Sequence, residues 1–202
     1  IRFWVGDEPE ELEVTGRKAL GNGNFWYSFK EPIPKGTKES SVISFQAYSI
    51  DSGVVRNCVF EGNFGSAIVN FIENLIVENC VFKDNSSQIK YGANYLSGAF
   101  VRNNVFRNNI IEDVSWIDIA RRGQPSALMI HSLSRLFDNP KYNQHIKITG
   151  NIFRNPHGLK NSAAIHVLNA TDVQIYNNTY EGYEQEVLVD NKSTKNITIE
   201  EK

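Results

Sequence analysis

The chain has 202 residues, 41% hydrophobic and 22% charged, a composition that can bury the core of one soluble domain and does not suit a disordered one. Its net charge is −2, and Lys and Arg form no run longer than the pairs Arg17-Lys18 and Arg121-Arg122, so a basic face for nucleic acid or a membrane surface is not expected. No apolar run reaches the roughly 18 residues needed to cross a bilayer, and membrane insertion is not expected.

Residues 1–40 open with IRFWVGDEPEELEV and NFWYSFKEPIP, which read as strands joined by turns at GNGN and PKG. The alternating aromatics of NFWYSF could present a platform to a sugar ring, but such alternation suits the core of a capping strand better. Because the chain opens at Ile1 within a strand-like run, a preceding segment is expected, with room for a secretion signal.

From residue 41 one phrase recurs: NCVFEGN (57–63), NCVFKDN (79–85), NNVFRNN (103–109), and in weaker form GNIFRNP (150–156) and NNTYEGY (177–183). Its aromatic falls at Phe60, Phe82, Phe106, Phe153 and Tyr180, with gaps of 22, 24, 47 and 27 residues. Short alternating runs precede each copy (VVR, LIVE, AFVR, IKIT and VQIY), and their period of two argues for strands. Self-similarity at a near-constant interval is the mark of a stacked repeat. Asn tolerates the left-handed backbone of a tight turn, and recurring once per coil it can stack its amides into a ladder. Cys58 and Cys80 share one repeat position, which places their Cα atoms within disulfide range but their side chains in parallel; two stacked, buried free thiols are expected.

The phrase resembles that of the right-handed parallel β-helix proteins, the pectate-lyase-like superfamily, over about Ser41 to Lys202. The resemblance implies an all-β solenoid of about 22–27 residues per coil (41–202) with an N-terminal β cap, or the remnant of a preceding domain (1–40). The texture is most similar to β-helix proteins classed as glycoside hydrolases in polysaccharide-degrading bacteria. It implies a polysaccharide or complex-glycan ligand and an extracellular or periplasmic location. The paired-Asp, Gly-His-Gly and Arg-x-Lys signature of polygalacturonase-like enzymes is absent. SWIDIARRG resembles the Trp-Ile-Asp-His stretch of pectate lyases, with Ile119 in place of the His.

In a repeat whose coils are interchangeable, chemistry is expected where the repeat is broken. Here that is between NNVFRNN and GNIFRNP, read as one strand, ALMIHS (127–132), between long loops at 107–126 and 133–144. The first loop carries Asp113, Trp116, Asp118, Arg121 and Arg122. With Leu128, Ile130, Ile165 and Val167 inward, His131 and His166 point outward on neighbouring coils, and His157 can approach; the opposite phase turns Met129 and His131 to the core. Asp113 and Asp118 are the candidate carboxylates of a glycosidase and His131 a further catalytic group, with Glu112 and Asp138 in reserve. Arg121 and Arg122 would clamp a substrate carboxylate, with Trp116, His166 and His157 lining the site. No metal or cofactor is called for. A polysaccharide lyase and a non-catalytic glycan-binding solenoid are the alternatives.

Overall fold

The computed structural model describes residues 2–4, 9–37, 42–44, 52–70, 72–86, 89–91, 101–115, 126–131, 143–158 and 163–200. These residues form strands and turns, with no helix among them. At the N-terminus, β1 (Arg2–Trp4), β2 (Pro9–Glu11) and β5 (Val42–Ser44) make one antiparallel sheet, and β3 (Val14–Gly21) and β4 (Asn24–Phe29) make an antiparallel hairpin.

Every later strand belongs to one of three parallel sheets. The first holds β6 (Gly53–Arg56), β9 (Leu75–Glu78), β12 (Val105–Arg107), β15 (Asn143–Thr149), β18 (Ala170–Tyr176) and β21 (Thr194–Ile199). The second holds β7 (Val59–Glu61), β10 (Val81–Lys83), β13 (Ile110–Glu112), β16 (Ile152–Arg154) and β19 (Thr179–Glu181). The third holds β8 (Val69–Asn70), β11 (Ile89–Tyr91), β14 (Ser126–Ile130), β17 (Ala163–Val167) and β20 (Gln185–Val189). The chain visits first, second and third sheet in rotation, and each circuit pairs in register with the one before it.

Asn makes the corners. Between first and second sheets, Asn57, Asn79, Asn108 and Asn177 all have φ near the left-handed value (54–56°), with Gly150 at 67° in the same column. The next residue of each upper circuit carries the amide ladder. Asn178 Oδ1 accepts from Asn151 N (3.0 Å) and Nδ2 (2.9 Å); Asn151 Oδ1 accepts from Asn109 N (2.9 Å) and Nδ2 (3.0 Å); Asn109 Oδ1 accepts from Cys80 N (2.9 Å). The same three amides donate to the carbonyls of Ile148, Phe106 and Val77, so buried turn groups that water cannot reach are satisfied inside the protein.

The core lies between the sheets. From the second sheet come Phe60, Phe82, Ile111, Phe153 and Tyr180; from the first Val55, Val77, Phe106, Ile148 and Ile175; from the third Leu128, Ile130, Ile165 and Val167. Phe60 and Phe82 stack at 4.9 Å with planes 2° apart, and Phe153 and Tyr180 stack at 5.6 Å with planes 18° apart. Phe82, Phe106 and Phe153 are fully buried, and each burial contributes about 1.5–3 kcal/mol. Burial pushes the Tyr180 phenol up to about 12.

The structure corrects the repeat alignment. Phe106 is not the partner of Phe82; it pairs with Val77 and Ile148 in the first sheet, while Ile111 pairs with Phe82 and Phe153. The copy following NCVFKDN is therefore NNIIEDV (108–114), with Ile in the aromatic's place. Counted along the stacked Asn and Cys positions, the circuits are 22, 29, 42 and 27 residues long. Arg107, β13 and Asp113 thus belong to the regular circuit, not to a loop over 107–126, and Asn143 and Gln144 begin β15.

Outward-facing charges alternate in sign from strand to strand. Arg107 binds Glu78 at 2.6 Å with Arg56 behind at 3.9 Å, and Lys83, Glu112, Arg154 and Glu181 follow one another across the second sheet at 3.1–3.9 Å. The two cysteines are free: Cys80 is buried, Cys58 half-buried, and burial raises the Cys80 thiol pKa.

The ladder and the charge rows differ in what their loss costs. Asn151→Ala strands a carbonyl and an amide in the interior, so a loss of about 2–4 kcal/mol is expected in urea unfolding. Arg107→Gln, on the solvated face, should cost less than about 1 kcal/mol.

Candidate functional site

The corner leaving the second sheet stacks Gly62, Asp84, Asp113, Asn155 and Gly182. The first four donate their backbone N–H to the circuit above: Gly62 to Lys83 O, Asp84 to Glu112 O, Asp113 to Arg154 O, Asn155 to Glu181 O, at 2.9–3.2 Å. Gly62, Asp84, Asp113 and Gly182 sit at φ 67°, 51°, 49° and 77°. Gly and short polar side chains reach that region most cheaply, which is why Asp can occupy it twice. A Cβ on Gly182 would come within 2.5 Å of Asn155 O, so the column closes tightly above Asn155.

Asp113 is 7% exposed, and its Oδ1 lies 2.9 Å from Nδ1 of His157, whose side chain is 79% exposed. His157 reaches Asp113 because its segment, Asn155-Pro156-His157-Gly158, turns on a Gly158 N–H to Asn155 O bond of 3.0 Å directly above the Asp113 corner. The hydrogen bond to Asp113, and then its charge, raise the His157 pKa above the ordinary value, with a smaller contribution from Asp84 one circuit below. Tyr183, next to Gly182, has its phenol pKa raised first by burial and then by the Asp113 charge, so it stays protonated. The corner thus gathers two carboxylates on adjacent circuits, an exposed imidazole that favours its cationic form, and a neutral phenol. The chain's other His–Asp contact among the described residues, His145 with Asp172 at 3.7 Å, is longer and joins two half-exposed side chains.

The sequence-predicted residues divide three ways. Asp113 and His157 come together. His131 and His166 lie elsewhere. Ser115, hydrogen-bonded to Asn85 O at 2.8 Å, lies ahead of the third sheet's strands, whereas His131 follows Ile130 at their far end. One strand of about five residues, roughly 16 Å, separates them. His166 pairs across the sheet with Met129 rather than with His131, and it is 5% exposed. Leu128, Ile130, Ile165 and Val167 are inward, yet Met129 and His166 on the opposite face are also covered. Trp116, Asp118, Arg121, Arg122 and Asp138 lie outside the described residues. Glu112 is held between Lys83 and Arg154.

Asp84 and Tyr183 escaped the sequence reading. Asp84 was legible in principle: it and Asp113 hold the same place in NCVFKD and NNIIED, once Ile is accepted for Phe. Among the described residues no group of three His, Cys, Asp or Glu side chains could hold a metal ion, and no helix is long and apolar enough to cross a membrane. No protein-family profile matches the chain, and no curated protein matches it in sequence.

The pair sets a pH dependence. Because His157 gains its proton more readily when folded, its contribution to stability is complete below the unfolded value of about 6.5 and fades as pH rises through the higher folded value. NMR titration of the His157 ring should give a pKa above about 6.5, falling toward it in Asp113→Asn.

Proposed function

We propose that residues 53–200 are a right-handed parallel β-helix of the pectate-lyase-like kind, with residues 1–44, β5 included, as its N-terminal β unit, and that the chain is a glycoside hydrolase acting on a polysaccharide outside the cytoplasm. The rotation of the chain through three parallel sheets supports the first part. The Asp113–His157 contact beside Asp84 carries the second.

Adjacent circuits of a parallel stack stand about 4.8 Å apart, which sets the Asp84 carboxylate next to the Asp113–His157 pair. In the proposed reaction His157, protonated and oriented by Asp113, gives its proton to the departing glycosidic oxygen as the Asp84 carboxylate bonds to the anomeric carbon. Neutral His157 then takes a proton from water, which displaces Asp84 and regenerates the sugar hydroxyl. Asp113 holds the imidazole tautomer and offsets its charge. The Tyr183 phenol is a hydrogen-bond donor for the sugar. In the same proposal Trp116, Asp118, Arg121, Arg122, His131 and His166 are left to contact more distant parts of the glycan.

Release of reducing ends from a panel of polysaccharides is the test. With a cleaved substrate in hand, His157→Gln and Asp84→Asn should each lower kcat by at least about a hundredfold. Asp113→Asn should lower it less and shift the basic limb of the pH profile to lower pH. Undiminished turnover in both Asp84→Asn and His157→Gln would remove the corner from the mechanism. A non-catalytic glycan-binding β-helix is the second reading, favoured by the exposed aromatics of the N-terminal hairpin.

A further inference from the structure

The β3–β4 hairpin is exposed on both faces, although it carries Val14, Leu20, Phe25 and Trp26. Trp26 is 65% exposed and Phe25 42%, so these two aromatics of NFWYSF are not the core of a cap, while Tyr27 and Phe29 are half-buried. The root of the ribbon is tied down: Phe29 meets Phe3 edge-on at 5.4 Å, and Lys30 binds Glu13 at 2.8 Å. A two-stranded ribbon is marginal alone in water, and large apolar side chains left open on one call for an occupant.

Charge and register say which. Residues 14–29 contain Arg17 and Lys18 and no Asp or Glu, in a chain whose net charge is −2. Lys18 stands directly across from Trp26, and Arg17 across from Tyr27 with its guanidinium 3.8 Å over the Phe25 ring. On the more open face Trp26 and Lys18 are flanked by the pair Gly16–Ser28. A Cβ on Gly16 would meet Ser28 only at 3.6 Å, so on that side the Lys18–Trp26 pair is flanked by small residues. Cross-strand Cβ atoms lie about 5 Å apart, the width of one pyranose ring. A sugar ring laid on the indole therefore puts a carboxylate borne directly on that ring beside the Lys18 ammonium.

We propose that this ribbon is a docking site for a uronate polysaccharide, the ring stacking on Trp26 and its carboxylate meeting Lys18, with Arg17 serving the neighbouring sugar. The inference rests on the polysaccharide reading above but not on the catalytic corner. A single-stranded nucleic acid also pairs stacking with positive charge, but its charge sits on phosphates away from the stacked base, whereas Lys18 directly across from Trp26 suits a carboxylate borne on the stacked ring itself.

Affinity electrophoresis of the full chain in gels containing alginate, dextran sulfate or neutral dextran, with a dT20 binding titration alongside, is the test. The expected result is retardation by alginate, little by dextran, and weaker binding of dextran sulfate and dT20. Trp26→Ala should weaken alginate binding at least about tenfold, Trp26→Phe much less, and Lys18→Gln several-fold with a shallower salt dependence. Far-UV circular dichroism confirms that each variant is folded. His157→Gln should keep full alginate binding while losing any hydrolysis, so a failed corner and a failed ribbon give different patterns. The proposal is overturned if alginate does not bind, if folded Trp26→Ala binds as well as the parent, or if dextran sulfate or dT20 is preferred. Self-association through the hairpin without alginate binding overturns it too.

Discussion

One constraint orders the molecule: an asparagine amide buried at a corner, donating to a carbonyl of its own stack and sharing its oxygen with the amide of the circuit beside it. Without it, three parallel sheets would have to bury turn carbonyls and N–H groups that water cannot reach, each costing about 1–3 kcal/mol. Asn109, Asn151 and Asn178 satisfy these groups and fix the register at the same time, since a slip of one residue would break both bonds of every rung. The alternating charges outside act in the same sense. A slipped strand would set Glu78 or Glu112 against the wrong neighbours, so the rows specify register more than they stabilise it.

Register makes the proposed site possible. Asp84 and Asp113 are 29 positions apart in the stack, yet each N–H bonds to the circuit above and both backbones are left-handed. Where most columns carry Asn or Gly, this one carries two acids and receives the His157 imidazole from above. In the proposed β-helix, chemistry arises from a regular column by exchange of Asn for Asp, with no need for the long loops.

Much of the stack could be read in the sequence because its two requirements, an apolar inward residue and a left-handed Asn, each leave a repeating letter. The reading slipped where the letters misled. NNVFRNN has the right text but sits on the first sheet, and NNIIEDV has the right position with Ile for Phe. In a packed core Ile and Phe fill the same inward site, so the aromatic was a poor anchor, and an Asn pair opens both NNVFRNN and NNIIEDV. That slip put Asp113 in a loop and hid Asp84. Alternation left two phases open for Leu128 and Ile130, and it could not show the cover over Met129 and His166, because a pattern of period two does not tell what lies upon either face. The exposure of Trp26 was equally unreadable, since a core strand and an open ribbon alternate alike.

The most direct test of the buried ladder is hydrogen exchange followed by NMR. The account requires the backbone amides of Cys80, Asn109 and Asn151, and the side-chain amides of Asn109, Asn151 and Asn178, to exchange only through global unfolding, at one common free energy. Exchange of those groups as fast as that of the exposed Asn57 would contradict the stacked-amide account and, with it, the register that aligns Asp84 with Asp113.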